Sequence, residues 1–365
     1  MKEVENMAYE NYITKLDHSI MNMFKGALKI VTHHPSLTAY ALQSIKWQSE
    51  ASNKRAFWEK QGIHVPPFMI ASITRKCNLR CKGCYSHVFK HNNTSEMSSE
   101  KFDKIVGEAS ELGISLALIA GGEPFVKPEF LQTAKAHKHI IFPVFTNGLF
   151  LNDTLINELK KLKNVIPILS IEGDAAKTDA RRGMGIYKKV TEVMKQLDEA
   201  GIFFGLSFTI NRDNFSTLTA PDFVKTHEKL GAKLFFYVEY VPVDTSEDAA
   251  SVISIQQRVN LMTLLEDYRS KFNSLFIAFP GSEEAFGGCL AAGRGFFHIN
   301  PEGGLEPCPF SPYSDQNLNE VSLKEGLKSE LFFKLQNSPD HLREIEGGCA
   351  LWNNADFVRS LLNPL

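Results

Sequence analysis

The sequence predicts an α/β fold: a partial (β/α)6 TIM-like barrel with an N-terminal helical segment and a C-terminal extension rich in glycine and cysteine. Six apolar runs alternate with amphipathic helical segments, which is typical of parallel strands because such strands need helical crossovers. The runs are apolar throughout, as strands covered on both faces require. Six repeats are too few for a closed eight-stranded barrel, so we expect an open barrel with its active site at the carboxyl ends of the strands. The six runs are FMIASIT, SLALIAGG, IIFPVFTNG, VIPILSIEG, FFGLSFTI and KLFFYVEYVPV.

Three regions are predicted along the chain. Residues 1–66 form a helical segment, because an apolar stripe at helical spacing runs from Ile20 to Val31 and a second one follows a break at Pro35. Residues 67–250 form the barrel. Residues 251–365 hold a linker helix, the short apolar run SLFIAF and the downstream cysteines.

Composition narrows the class of protein. The 365 residues are 43% apolar and 22% charged, with a net charge of −2, which is ordinary for a globular protein and favours no nucleic-acid partner. No apolar stretch reaches the ~18 residues that cross a bilayer, and the acidic start is unlike a secretory signal. We therefore expect a cytoplasmic protein whose six cysteines serve metal or redox chemistry.

The first three cysteines follow the first predicted strand in the sequence CNLRCKGC. Thiolates from Cys77, Cys81 and Cys84 can bind three irons of a [4Fe-4S] cluster and leave the fourth iron open, as a catalytic metal requires. The alternative is a structural zinc site with His87 as its fourth ligand.

The CxxxCxxC spacing, followed by the aromatic Tyr85 after a first barrel strand, resembles the radical S-adenosylmethionine (SAM) superfamily. The resemblance implies that the open iron chelates SAM. It also implies that electron transfer cleaves SAM to a 5′-deoxyadenosyl radical, which abstracts hydrogen from a substrate. Cys77, Cys81 and Cys84 are then the catalytic cluster ligands, and Tyr85 is a cofactor-binding residue.

The second and third strands end in motifs that resemble the same superfamily. Gly121-Gly122-Glu123-Pro124 corresponds to its GGEP motif, which implies that Gly122 and Glu123 bind the SAM amino group. Hydrogen-bond acceptors suit that cation. Thr146-Asn147-Gly148 is either a ligand contact or an ordinary turn after a strand.

Polar residues on the fourth strand and the following helix complete the predicted SAM pocket. Alternation places Ser170 and Glu172 on one face, where they suit the ribose hydroxyls. The superfamily more often has Asp where Glu172 stands. Arg182, which we favour over Arg181, resembles the arginine that pairs with the SAM carboxylate; a solvated surface charge is the alternative.

Two later strands supply the remaining predicted contacts. Ser207 is preferred over Thr209 and Asn211 as the residue that lines the SAM pocket from the fifth strand. On the sixth strand, Val241 resembles the segment that supports adenine through backbone groups and apolar contact, although such a strand residue is ordinarily core.

The last three cysteines resemble the SPASM/Twitch extensions that add auxiliary iron–sulfur clusters to radical SAM barrels. Cys289 and Cys308 flank a predicted hairpin with its turn at Asn300-Pro-Glu-Gly-Gly, and Cys349 follows. Because the full SPASM pattern has more cysteines, the shorter Twitch-like version with one auxiliary cluster fits better. Alternatively, Cys349 is a small buried hydrophobe.

The fourth iron of this auxiliary cluster has no cysteine assigned to it. It is either open to substrate or bound by a residue other than cysteine, for which His298 and Asp356 are candidates.

These motifs predict a radical SAM enzyme, oxidoreductase-like or a maturase, that modifies a peptide or protein or matures a cofactor or metabolite. Its substrate is a peptide, tetrapyrrole, lipid or small metabolite, and its electron donor resembles flavodoxin or ferredoxin. The alternatives are a non-catalytic iron–sulfur scaffold or electron carrier and a zinc-stabilised binding module. For the first helices we favour packing against the barrel over a lid or a membrane contact through Lys25, Lys29 and Trp47.

Overall fold

A computed structural model of the chain describes residues 2–89, 95–243, 249–281, 283–343 and 349–362. Its centre is a ten-stranded sheet in the order β10-β9-β8-β1-β2-β3-β4-β5-β6-β7. Neighbouring strands from β1 to β7 are parallel, β8 is parallel to β1, and β8, β9 and β10 are antiparallel. The strands are β1 Phe68–Ser72, β2 Leu116–Ala120, β3 Phe142–Thr146, β4 Val165–Ser170, β5 Gly205–Ile210, β6 Leu234–Glu239, β7 Leu275–Phe279, β8 His298–Ile299, β9 Gly304–Glu306 and β10 Gln316–Asn317.

Helices precede, connect and follow these strands. They are α1 Lys2–Ile30, α2 Pro35–Lys60, α3 Tyr85–Val88, α4 Ser99–Leu112, α5 Phe130–Ala136, α6 Asp153–Leu159, α7 Ala175–Arg182, α8 Ile186–Glu199, α9 Phe215–Leu218, α10 Pro221–Lys229, α11 Ile255–Lys271, α12 Leu323–Gly326, α13 Glu330–Gln336, α14 Ala350–Asn353 and α15 Ala355–Leu362. Short 3₁₀ turns cover Pro124–Val126, Ala249–Ser251, Glu283–Phe286 and Pro339–His341.

The parallel part of the sheet curls into an open barrel. Phe296, just before β8, stacks on Phe68 of β1 with their ring centroids 5.3 Å apart. The same ring lies 5.3 Å from that of Phe279 at the end of β7. Because one side chain contacts both the first and the seventh strand, the two ends of the parallel sheet approach each other. The predicted α/β fold with a partial barrel is confirmed.

Local signals in the sequence explain where several helices begin. Ser98 caps α4 by accepting a hydrogen bond from the Lys101 N–H at 3.2 Å. Ser254 and Gln257 form a capping box at the start of α11. This helix leads into β7, a seventh parallel strand that contains most of the apolar run SLFIAF and was not among the six predicted strands. The parallel sheet therefore continues beyond residue 250, and the proposed domain boundaries stay a prediction.

The first two helices contribute to the core of the barrel. Tyr12, Leu16 and Ile20 of α1 are buried in the same apolar cluster as residues of β1 and β2. On α2, Trp47 contacts the ring of His139 edge-on at 6.3 Å. Packing against the barrel is thus observed, and the membrane contact stays a prediction. No helix in the described ranges is both long enough and apolar enough to span a membrane.

The predicted hairpin joins the C-terminal extension to the barrel. The Asn300 N–H donates to the Gly304 carbonyl at 3.0 Å, and the Asn300 side chain accepts from the Gly304 N–H at 2.8 Å. Gly303 has a φ of 84°, a conformation that favours glycine. Because β8 also pairs with β1, this hairpin brings the second group of cysteines toward the barrel opening.

Candidate radical SAM site

The first cysteine loop lies at the carboxyl end of β1. Cys77, Cys81 and Cys84 are all free thiols and partly exposed. The Leu79 N–H donates to Cys77 Sγ at 3.4 Å, and Cys84 is the residue that precedes α3. The loop therefore presents three sulfur ligands over a short stretch of chain.

Glycines at the end of β2 let this loop pack directly on the backbone. The Gly122 N–H donates to the Thr74 carbonyl at 2.7 Å, and the Glu123 N–H donates to the Lys76 carbonyl at 2.8 Å. A Cβ on Gly122 would lie 2.2 Å from the Lys76 oxygen, closer than any real contact. The GGEP motif thus has a structural role, because it lets the end of β2 pack closely on the backbone just before Cys77.

Glu123 connects the ends of β2 and β3 through its buried carboxylate. It accepts hydrogen bonds from the Thr146 hydroxyl at 2.7 Å, the Asn147 N–H at 2.7 Å and the Phe125 N–H at 3.1 Å. Burial raises the pKa of Glu123, and these hydrogen bonds partly offset that rise. The side chain also lines the main cavity, where its negative charge suits a cationic group.

Asn147 links the third strand to the cysteine loop. Its Nδ2 donates to Asn78 Oδ1 at 2.8 Å and lies 4.0 Å from Cys77 Sγ. The side-chain oxygen accepts from the Leu149 N–H at 3.0 Å. Asn147 therefore stabilises the turn after β3 and also contacts the loop.

Glu172, just after β4, binds two arginines of α7. Its Oε1 accepts from Arg181 Nη1 at 2.6 Å and from Arg182 Nε at 2.7 Å, and its Oε2 accepts from the Thr209 N–H at 3.1 Å. The Glu172 side chain is 2% exposed. These contacts orient both arginines, and the predicted ribose contact of Glu172 stays a prediction.

The two arginines also approach the cysteine loop. Arg181 Nε donates to the Lys82 carbonyl at 3.1 Å, whereas Arg182 Nη1 lies 4.0 Å from Cys81 Sγ. Burial raises the pKa of Cys81, and the positive charges of Arg182 and Arg181 lower it in part. Both side chains line the cavity, so either can meet an anionic group there.

A cavity of about 220 Å³ lies between these elements. Ten of the residues predicted from the sequence line it, and Glu172 is the one member of the predicted SAM pocket that does not. Those that do are Cys77, Cys81, Cys84, Tyr85, Gly122, Glu123, Ser170, Arg182, Ser207 and Val241. The hydroxyls of Ser170 and Ser207 are 3.0 Å apart on adjacent strands. Motifs far apart in sequence therefore meet at one site, and their individual roles stay predictions.

Glu239 and Phe310 are among the residues of the cavity wall that sequence reasoning missed. Glu239 ends β6, and both of its carboxylate oxygens bind Arg258 of α11, at 2.7 and 2.6 Å. Phe310 follows Cys308 by two residues, and its ring lies 5.4 Å from that of Tyr85. The position of Glu239 at the carboxyl end of a parallel strand was a usable signal. Phe310 has no such signal in the sequence, because only the folded hairpin brings it to the cavity.

The downstream cysteines lie close together beside this cavity. Cys289 and Cys308 are buried, Cys349 is partly buried, and all three are free thiols. Burial raises the pKa of Cys289 and Cys308 well above the ordinary value and that of Cys349 to about 11, and each thiol is further affected by neighbouring negative groups. Pro309 and Phe310 extend from Cys308 into the cavity wall.

Both groups of thiols suit iron–sulfur clusters by the chemistry of their donors. Thiolate sulfur is the usual ligand of such clusters, and a thiol releases its proton when it binds a metal. In the parts of the chain that the structure describes, no three His, Cys, Asp or Glu side chains surround a single-ion site. His87, the fourth ligand in the zinc alternative, has its Nε2 3.0 Å from the Leu79 carbonyl.

Both non-cysteine candidates for the auxiliary cluster have other partners in the structure, and their role as ligands stays a prediction. His298 uses one ring nitrogen with Glu306, at 2.7 Å, and the other with Ser72, at 2.8 Å. The Asp356 side chain is 95% exposed and pairs with Arg359 on the surface.

Comparison with known proteins shows which family and which relatives this chain resembles. Residues 71–230 match the family described as the Radical SAM superfamily. Fe-coproporphyrin III synthase of Methanosarcina barkeri is 28% identical over 178 residues, which are 48% of this chain and 44% of that protein. Mycofactocin maturase MftC of Mycobacterium ulcerans is 28% identical over 318 residues, or 84% of this chain and 79% of that protein.

The AdoMet-dependent heme synthase of Oleidesulfovibrio alaskensis is 23% identical over 76% of this chain and 77% of its own length. Among solved structures, SuiB of Streptococcus suis bound to S-adenosylmethionine matches with a TM-score of 0.64 at 18% identity, covering 80% of this chain and 73% of SuiB. This structural likeness supports the fold. The family match supports SAM and a [4Fe-4S] cluster as the cofactors of this chain. Residues 71–230 therefore carry the radical SAM domain, and the chain is identified as a radical SAM enzyme.

Proposed function

We propose that the chain cleaves SAM reductively at the Cys77/Cys81/Cys84 loop and uses the resulting radical on a substrate held in the 220 Å³ cavity. The observation that carries this proposal is the convergence of ten predicted residues on that one cavity, from five strands and the segments that follow them. When bound, the cluster supplies the electron that converts SAM to methionine and a 5′-deoxyadenosyl radical. The chain itself binds and orients SAM and shields the radical from water.

Polar residues of opposite charge line the cavity, and each suits a different part of SAM. Glu123 offers a negative carboxylate, and Gly122 leaves backbone accessible beside it, which suits the SAM amino group. Arg182 offers a planar guanidinium on the other side of the cysteine loop, which suits the SAM carboxylate. Ser170 and Ser207 offer hydroxyls for the ribose, and Val241 offers an apolar surface for adenine.

Residues of the extension close the cavity opposite the barrel. Tyr85 on the first cysteine loop contacts Phe310, and Pro309 lies between Phe310 and Cys308. We propose one auxiliary cluster at Cys289, Cys308 and Cys349, which binds substrate or accepts an electron from a product radical. A substrate in the cavity would then lie between two iron–sulfur clusters and away from bulk water.

We propose a tetrapyrrole or a peptide as substrate, since the relatives are named as a coproporphyrin or heme synthase and a maturase. A solved neighbour is SuiB bound to its precursor peptide SuiA. A flavodoxin- or ferredoxin-like protein as the electron donor also remains a prediction.

The test is 5′-deoxyadenosine formation after anaerobic reconstitution, with SAM and dithionite. We expect product from the parent and none from a Cys77/Cys81/Cys84→Ala triple variant. The matched control is Cys289/Cys308/Cys349→Ala, which leaves the first loop intact and should still cleave SAM without turning over substrate. Iron binding with no deoxyadenosine, even after a tetrapyrrole, a peptide mixture or cell extract is added, would favour the non-catalytic scaffold.

A further inference from the structure

The first cysteine loop has one set of residues that lines the cavity and another that is exposed. From Cys77 to Gly83 every odd-numbered residue lines the cavity, namely Cys77, Leu79, Cys81 and Gly83. The even-numbered residues between them and just before them are exposed and do not line it; they are Lys76, Asn78, Arg80 and Lys82. We refer to the three cations Lys76, Arg80 and Lys82 as the basic rim. The charges of the basic rim therefore face solvent rather than the cavity.

The positive charges of the basic rim are not neutralised by nearby residues. The sequence has no Asp or Glu between Arg75 and Ser95. Among the described residues, the three side chains make no hydrogen bond or ion pair. Exposed lysines elsewhere do pair with carboxylates, as Lys271 does with Asp267 at 2.6 Å. Because the whole chain has a net charge of −2, the basic rim is a local positive surface on a slightly acidic protein.

The turn between α7 and α8 places an exposed methionine next to the basic rim. The Lys82 N–H donates to the Arg181 carbonyl at 3.1 Å, and Arg181 Nε donates to the Lys82 carbonyl at 3.1 Å. Within the turn, the Asp179 carboxylate accepts from the Gly185 N–H at 2.7 Å, so the turn is held in place. Met184 lies in this turn and is 90% exposed. Methionine and arginine are both enriched where proteins contact each other.

Reductive cleavage of SAM needs an electron from outside the chain. One electron is consumed for each SAM, and electron transfer slows steeply with distance, so the donor has to approach the loop closely. Arg80 and Lys82 are the sequence neighbours of Cys81, which is itself partly exposed. A protein that covers the basic rim therefore lies next to a predicted cluster ligand without entering the cavity.

We propose that the basic rim and Met184 form the docking surface for a one-electron donor protein whose redox centre is surrounded by acidic residues. The inference rests on the proposed function and adds the place where the electron enters. The donor is oxidised by one electron, which passes through the loop to SAM, and the C–S bond breaks to give methionine and the 5′-deoxyadenosyl radical. Opposite charges steer such partners together, and a small charged surface suits the brief contacts of electron transfer.

Docking is measured on the full reconstituted chain with a purified flavodoxin, an acidic protein that donates one electron at a time. Equilibrium binding of the oxidised flavodoxin is measured at about 0.05 M and about 0.5 M salt, which differ in how far they screen charges. Formation of 5′-deoxyadenosine is measured with reduced flavodoxin and, separately, with reduced methyl viologen. Methyl viologen is a small cation, so a basic surface does not attract it.

Three variants are compared with the parent, and thermal unfolding checks that each is folded. The basic-rim variant carries three charge reversals, Lys76→Glu/Arg80→Glu/Lys82→Glu. Met184→Ala removes the apolar contact. The matched control makes the same change in net charge at exposed lysines that follow α6 or end α10, where these helices lead into the amino ends of β4 and β6. It is Lys160→Glu/Lys161→Glu/Lys229→Glu.

We expect the parent to bind flavodoxin about tenfold more weakly at the higher salt, because the attraction is electrostatic. The basic-rim variant should bind about tenfold more weakly than the parent at low salt and need correspondingly more flavodoxin for half-maximal deoxyadenosine formation. Its rate with methyl viologen should equal that of the parent. Met184→Ala should weaken binding by a smaller factor, and the control variant should match the parent.

The proposal is overturned if the parent does not bind flavodoxin, if salt leaves its binding unchanged, or if the folded basic-rim variant binds as the parent or the control does. It also fails if that variant loses activity equally with both reductants, because the basic rim would then serve SAM or substrate. Should the triple variant not fold, Lys82→Gln decides, and unchanged binding there sinks the proposal. Binding as predicted in a parent that forms no deoxyadenosine with methyl viologen supports the docking surface and overturns the proposed function.

Discussion

Glu172 Oε1 accepts a hydrogen bond from Arg182 Nε at 2.7 Å, and the same oxygen also binds Arg181 Nη1 at 2.6 Å. One buried carboxylate at the end of β4 therefore holds two guanidinium groups beside the cysteine loop. We propose that Glu172 positions the two arginines, since both arginines line the cavity and Glu172 itself is not among the lining residues.

Replacing Glu172 by Gln should destabilise the protein and weaken SAM binding. Two partly buried arginines would lose their counter-charge, at a cost of about 3 kcal/mol in unfolding free energy. SAM affinity should fall about tenfold, equivalent to about 1.4 kcal/mol, because Arg182 is no longer oriented. Urea unfolding and equilibrium binding measure the two effects. Glu192→Gln on the exposed face of α8 is the control, and equal results for both variants would contradict the positioning role.

Replacing Gly122 by Ala should remove iron from the first loop. The new Cβ would lie 2.2 Å from the Lys76 oxygen, so the backbone must shift next to Cys77. We expect iron content to fall to about half, because the other cysteine group would keep its cluster of about four irons. Gly107→Ala, inside α4 with its nearest neighbour 3.6 Å away, is the control and should be tolerated. Full iron in Gly122→Ala would show that this close approach does not matter.

Ser207→Ala should weaken SAM binding without affecting iron. Its hydroxyl lies 3.0 Å from that of Ser170 on the cavity wall, where both suit a ribose. Losing one hydrogen bond costs about 1 kcal/mol, which is about a fivefold rise in Kd. The exposed Ser270→Ala on α11 is the control. An unchanged Kd in Ser207→Ala would remove this residue from the predicted SAM pocket.

The ends of β1 and β2 show how much a short motif can predict. The cysteine loop and Gly121-Gly122-Glu123-Pro124 were located correctly because spacing and glycine content within a few residues determine them. Alternating apolar runs likewise predicted β1 to β6. By contrast, β7 was missed because five apolar residues are equally typical of a buried loop or strand.

Contacts between distant residues were harder to predict. Glu239 and Arg258 are 19 positions apart, and they meet because α11 packs against β7, the strand next to β6. The link between Glu172 and the arginines depends on where α7 begins after β4, which the residue types leave open.

His227 should make stability depend on pH. It is buried on α10 beside Phe223, and burial lowers its pKa below the ordinary value of 6.5. The unfolded chain therefore binds a proton first as pH falls, so stability is present above about pH 6.5 and is lost below it, by up to about 1.4 kcal/mol per pH unit.

Urea unfolding at about pH 7.5 and about pH 5.5 measures this contribution, because the two values lie above and below the pH at which the unfolded histidine takes up its proton. His227→Gln should lose stability less steeply than the parent over that range. The exposed His33→Gln is the control and should follow the parent. Parallel curves for the parent and His227→Gln would contradict the prediction.

The most direct test of the central claim is whether SAM touches a cluster on the first loop. Electron paramagnetic resonance of the reduced protein with and without SAM reports this contact and needs no substrate. In a Cys289/Cys308/Cys349→Ala variant, which isolates the first site, the account predicts a signal that changes when SAM is added. A cluster signal that SAM leaves unchanged would mean that Cys77, Cys81 and Cys84 do not form a SAM-binding site, and the proposed function would fail.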